Sequence, residues 1–129
     1  MNKLEALTIS IAREHQALEP SSEAFQTLNP GLLKSHSVDR LNVVNSDGTR
    51  IFTSFQGGYR ALYANLVAKC SGKTKANGDK GWLAPTSSLA DLCKTFRYIN
   101  TRNVVEFLQD VLEDKAISER TPLQFFIEG

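Results

Sequence analysis

The chain predicts a compact, mainly α (α+β) domain of four or five helices with one small β-hairpin after the first helix. Three observations carry this. Leu4, Leu7, Ile11 and Leu18 recur at helical spacing near the start. Val104, Val105, Phe107, Leu108, Val111 and Leu112 form a broader apolar face near the end. Between them, two β-prone runs, Leu41-Asn42-Val43-Val44-Asn45 and Thr49-Arg50-Ile51-Phe52-Thr53, flank an Asp-Gly pair. At 129 residues the chain reads as one domain, spanning 1–129, with a single core of ordinary size.

The elements follow in order. A first helix is expected from Asn2 to Leu18, stopping before Pro20, whose ring restricts Glu19. Ser21 to Gln26 makes a turn or a single helical turn. It leads to Leu28-Asn29-Pro30-Gly31, where fixed φ at Pro30 and free φ at Gly31 signal a turn. The hairpin then turns at Ser46-Asp47-Gly48. A second helix starts within Ser54 to Gln56 and carries Tyr59, Leu62, Tyr63, Leu66 and Val67 inward to about Cys70. Ser71 to Pro85 is polar, with Gly72, Gly78, Gly81, Trp82 and the lysines Lys69, Lys73, Lys75 and Lys80 counted with it, and reads as a surface loop. Ser88 and Asp91 have capping-box spacing and open a helix through Leu89, Leu92, Cys93 and Phe96. Thr101 is the expected cap of the last long helix, and Thr121-Pro122 the cap and first position of a final turn, Leu123 to Ile127. That turn gathers more apolar side chain than a short tail hides alone. The C-terminal turn Pro122 to Gly129 and the Ser71–Pro85 loop are the expected contact surfaces of an assembly, which needs about 800 Å² per partner.

Composition narrows the function classes. A net charge of +1 gives no electrostatic pull toward nucleic acid. The chain has no apolar run long enough to span a bilayer. The start, Met-Asn-Lys-Leu-Glu-Ala-Leu-Thr, lacks the apolar stretch of a signal peptide. The expectation is a protein made in the cytoplasm that, if exported, leaves by another route. Cys70 and Cys93 read as free thiols packed like small apolar groups. His15 and His36 stand apart from other ligand types, so no metal and no cofactor is expected.

Glu14 is the most telling residue, a carboxylate between Ile11 and Leu18 on the stripe of the first helix. A carboxylate there loses hydration, which disfavours its ionised form. An acid that keeps its proton near neutral pH is what glycoside cleavage needs to protonate a leaving oxygen. The plainer alternative is a carboxylate at the stripe's edge, turned to water or paired with Arg13 or His15.

The order helix with glutamate, Asn-Pro-Gly turn, hairpin and helix opening with Phe-x-x-Gly has a counterpart. Ile11-Ala12-Arg13-Glu14, Leu28-Asn29-Pro30-Gly31-Leu32-Leu33 and Phe52-Thr53-Ser54-Phe55-Gln56-Gly57-Gly58-Tyr59-Arg60-Ala61-Leu62 carry it. Later come Ser88-Leu89-Ala90-Asp91-Leu92 and Ala116-Ile117-Ser118-Glu119-Arg120-Thr121-Pro122-Leu123. Together these stretches resemble a family of short tailed-phage and prophage proteins with an Asn-Asn-Pro-Gly-Asn-type motif. That family looks distantly related to lysozymes and lytic transglycosylases, and many of its members are virion components. The resemblance implies a lysozyme-like domain, with Glu14 as general acid and then base, and Asn29, Tyr59 and Trp82 against a glycan substrate. It also implies other virion proteins and peptidoglycan as partners, and incorporation into the particle. His15 stands where the family has glycine, and Leu28 and Leu32 stand for its flanking asparagines.

Two function classes follow. One is peptidoglycan glycan-strand cleavage. A lytic transglycosylase needs one carboxylate, whereas a muramidase wants a second, for which Asp39 and Asp47 are the candidates. Tyr63 and Tyr98 join Tyr59 and Trp82 as faces for sugar stacking, although aromatics at helical spacing are usually core. The other class is a non-catalytic phage structural or host-interaction protein that retains only the fold.

Overall fold

A computed structural model describes residues 1–34, 43–44, 48–72 and 83–128. The chain is mainly helical. Its elements are α1 (Lys3–Glu14), α2 (Glu23–Gln26), β1 (Val43–Val44), β2 (Arg50–Ile51), α3 (Phe55–Cys70), α4 (Leu89–Cys93), α5 (Thr101–Val111) and α6 (Gln124–Ile127). Among the described residues no helix is long and apolar enough to cross a membrane.

α1 is the central element, packed against α3, α5 and α6. Asn2 caps it, its Oδ1 accepting from Glu5 N at 2.7 Å, and burial reaches most of the helix surface. Leu4, Leu7 and Ile11 enter the main core, where they meet Leu62 and Leu66 of α3, Val104 and Leu108 of α5, and Leu123 and Phe126 near the C-terminus. Each such leucine stabilises the fold by about 1.5–3 kcal/mol through burial. The hydroxyl that Thr8 brings into this interior donates to Leu4 O at 2.7 Å, so it enters without an orphaned donor.

The first helix is shorter than its periodicity predicts. It ends at Glu14, His15 is its C-cap, and Gln16 turns into the left-handed region at φ 55°. The apolar stripe therefore does not extend to Leu18, which is 79% exposed. The physical reason is that His15 turns its ring inward to carbonyls of distant segments, and the chain must reverse just after it. Ser22 then caps α2, accepting from Phe25 N at 3.0 Å.

The Asn-Pro-Gly turn is fastened to the strand segment by one side chain. Asn29 is fully buried, donates to Leu33 O and Arg50 O, and accepts from Leu33 N, each at 2.9 Å. β1 and β2 pair antiparallel through Val43 with Ile51 and Val44 with Arg50, and Lys34 bridges Thr49. Gly48 is at φ 86°, while Ser46 and Asp47 of the expected turn lie outside the described residues. The same turn lies across the start of α3. A Cβ on Gly58 would run into Leu28 O, and one on Gly31 would press on Leu62. Glycine at 58 is thus a packing requirement of the Phe-x-x-Gly stretch.

The later elements show two shifts. Ser88 and Asp91 form a reciprocal capping box at α4, at 3.1 and 3.2 Å. α5, however, is capped by Asn100, which accepts from Arg102 N and Asn103 N, so Thr101 is its first helical residue. Asn100 precedes Thr101 with a better-placed carbonyl oxygen, and asparagine is at least as good a cap as threonine. α6 starts after Thr121-Pro122 with no side-chain cap. Backbone bonds dock it instead, Leu123 N to Ser87 O and Gln124 N to Pro85 O, both at 2.9 Å. Leu123 is fully buried and Phe126 is 3% exposed, while Phe125 packs against the core edge. Leu123 and Phe126 of the C-terminal turn therefore belong to the domain's own interior, while Ile127 stays 41% exposed. Of the expected loop surface, 73–82 lies outside the described residues.

Candidate functional site

Glu14 is half-buried in the last turn of α1 and reaches the N-terminus of α5. Its Oε1 accepts from Asn100 N at 3.0 Å and from Asn103 Nδ2 at 3.4 Å. A helix N-terminus leaves N–H groups without intrahelical partners and favours negative charge nearby. The glutamate thus serves as a clamp between two helices. It borders a groove of about 340 Å³ with Ser10, Arg13, Asn103, Glu106, Phe107 and Asp110. Arg13 lies 4.4 Å over the Phe107 ring, and Glu106 is paired with Arg102 at 3.2 Å.

The other sequence-named residues fall elsewhere. Tyr59 borders a separate, more apolar groove of about 720 Å³ with Ala12, Ala17, Leu18 and Phe55. Arg13 borders both grooves, with Glu14 in the first and Tyr59 in the second. Burial, then Glu5 and Tyr63, push the Tyr59 hydroxyl above its ordinary value. Asn29 has all its bonds inside the fold and presents none to a ligand groove among the described residues. Tyr98 is 76% exposed, at a left-handed φ of 62°. Trp82, Asp39, Asp47 and His36 lie outside the described residues.

His15 and Lys69 have a larger structural part than the sequence suggested. His15 is buried, with Nδ1 2.9 Å from Pro30 O and Nε2 2.6 Å from Arg97 O. Burial holds its imidazolium below the ordinary 6.5, opposed by the two carbonyls and by Glu14, with Arg97 adding to the fall. Arg97 itself donates to Leu32 O at 3.2 Å and to Thr49 Oγ1 at 2.7 Å, a second tie between the turn and the α4–α5 corner. Lys69 is 2% exposed, donates to Thr95 Oγ1 at 2.9 Å and lies 4.0 Å over the Phe96 ring. Burial pulls its amine from 10.5 down to about 8. The sequence signal for His15 is its place directly after Glu14 at the end of the first helix. Lys69 counts with the loop lysines in the sequence, but it is buried in the last turn of α3, where its helical phase with Leu62 and Leu66 is the signal that finds it.

Cys70 and Cys93 are free and buried. Burial pushes their thiols up to about 12 and about 11, which removes the thiolate that nucleophilic or metal chemistry would need. Among the described residues no group of three or more His, Cys, Asp or Glu side chains is placed to hold a metal ion.

No family model, no curated protein and no solved structure matches the chain.

Proposed function

We propose that this chain is a bacteriophage virion-associated protein with a lysozyme-like helical fold that serves as a structural or host-interaction part without cleaving glycan. The observation that carries this reading is the engagement of Glu14. A general acid must present a carboxyl oxygen to the leaving oxygen of its substrate within hydrogen-bond reach. Here Oε1 already accepts from Asn100 N and Asn103 Nδ2. The neighbouring residue supports the same reading, since His15 fills with a buried ring the place where the family's glycine leaves room. Tyr59, the aromatic face assigned to a sugar, belongs to a different groove. The ordinary charge and the shared order of motifs support a role within the particle alongside other virion proteins.

A second reading, single-glutamate lytic transglycosylase action, rests on Glu14 bordering an open groove next to Ser10 and Asn103. One experiment decides between them. Purified protein is incubated with peptidoglycan at pH values from about 4 to 8, and released muropeptides are separated by chromatography. The non-catalytic reading expects no release above buffer. Release that disappears in Glu14→Gln would establish the transglycosylase instead. Mass spectrometry of purified particles tests the virion assignment separately, and absence of the chain from them would remove it.

A further inference from the structure

Each neutral imidazole carries one N–H and one lone pair, so it donates from a single ring nitrogen. In His15 both ring nitrogens face carbonyl oxygens, Nδ1 toward Pro30 O at 2.9 Å and Nε2 toward Arg97 O at 2.6 Å. Two carbonyls at those distances require two N–H donors, which only the imidazolium has. A neutral ring would set a lone pair against one carbonyl, and that contact must open.

The two carbonyls are not equivalent. The bond to Pro30 is fully buried, and a carbonyl left there without a donor has no solvent to turn to. The bond to Arg97 is only part-buried. It also restrains a strained corner, because Tyr98 follows it at φ 62°, a region that side chains with a Cβ adopt at a cost. Glu14 holds the other end of this corner through Asn100 N. Two successive residues at the end of α1 thus pin Arg97 to Asn100, one by charge and the other by its proton.

We propose that His15 is a pH-operated latch, bonding both Pro30 and Arg97 as imidazolium and releasing the Arg97–Asn100 corner when Nε2 loses its proton. The charged groups bearing on the ring are the Arg97 side chain from the corner and Glu14 from its own helix. The turn from Leu28 to Leu33 brings no charged side chain. Lys69 reaches the Phe96 ring that also lies against His15. Release relaxes Tyr98 and loosens the α5 N-terminus without undoing the Asn29 turn, which keeps its own bonds and the Arg97 tie to Leu32. The latch is independent of whether Glu14 ever acted on a glycan.

The test is nitrogen NMR of the His15 ring in the whole chain between about pH 5 and 8, with amide exchange of Asn100 at each pH. Nδ1 should stay protonated throughout while Nε2 titrates with a midpoint below 6.5. Protection of the Asn100 amide, corrected for the intrinsic effect of pH, should fall about tenfold on the neutral side, the equivalent of one hydrogen bond. In His15→Gln, which keeps a donor but does not titrate, protection should no longer follow pH over this range. A neutral ring protonated on Nε2 would overturn the proposal. So would equal protection on both sides of the titration, or an unchanged pH dependence in His15→Gln. If that variant does not fold, the ring and amide data of the unaltered protein decide alone.

Discussion

Lys69→Met replaces a buried ammonium with an apolar side chain of similar length. The fall of the amine from 10.5 to about 8 means that the folded state disfavours the charged form by roughly 3 kcal/mol, at about 1.4 kcal/mol per tenfold. Against this, the variant loses the contact with the Phe96 ring and the bond to Thr95, together worth roughly 1–2 kcal/mol. Thr95 is not left orphaned, because its hydroxyl still donates to Leu92 O at 2.7 Å. The variant should therefore be more stable than the parent by about 1–2 kcal/mol at pH 7. The sign with pH follows from linkage. The amine is lowered on folding, so below about 8 both states carry the charge and its cost to stability is present in full, while between about 8 and 10.5 the unfolded chain binds more protons and stability rises. The cost fades as pH rises from about 8 to 10.5. The thiols act in the opposite direction, since their raised values give stability that is present below 9.0 and lost above it. The Cys93 contribution is common to both proteins, but Lys69 lowers the Cys70 thiol, so the difference reads Lys69 most cleanly at pH 7 to 9, below the thiol titration. Urea unfolding followed by circular dichroism at pH 7, 8, 9 and 10, with reductant present, measures it. The variant's advantage should shrink steadily above pH 8. A variant less stable at pH 7 by more than about 1 kcal/mol, or a gap that does not move with pH, would refute the reasoning.

Further outcomes follow from single contacts. Glu14→Ala should cost about 1 kcal/mol in urea unfolding by freeing Asn100 N–H, while Glu14→Gln, which keeps an oxygen acceptor, should cost under about 0.5 kcal/mol. Equal losses in the two would remove the clamp role. Asn29→Ala should cost about 2–4 kcal/mol, because three hydrogen bonds of a fully buried side chain go at once, and a near-neutral result would mean that Leu33 and Arg50 find other partners. Gly58→Ala should cost about 3 kcal/mol, since the added carbon meets the backbone oxygen of Leu28, which cannot move aside like a side chain. Thermal melts check this, and an unchanged midpoint would show that the turn has freedom to withdraw. Deleting Phe125 to Gly129 should unfold the domain, because loss of Phe126 alone removes about 3–5 kcal/mol from a core of ordinary stability. A truncated chain with native circular dichroism would restore the tail as a separable contact surface.

The local chemistry was legible in the sequence: helix spacing at Leu4, Leu7 and Ile11, the Ser88 and Asp91 cap and the turn at Asn29-Pro30-Gly31. These depend on interactions a few residues apart, which periodicity and side-chain type reveal. Tertiary structure decided the rest. Leu18 looked like a core position until the inward turn of His15 ended the helix and left it in solvent. Leu123 and Phe126 looked too apolar for a tail until backbone bonds to Pro85 and Ser87 drew them inside. Glu14 lay on an apolar stripe in the sequence, but its partner is the start of a helix 86 residues away, which no local spacing announces. The same holds for His15, whose two carbonyls lie 15 and 82 residues distant. A side chain's hydrogen-bond partners are set by which segments the core brings together. The burial of α1 against α3, α5 and α6 made that choice here.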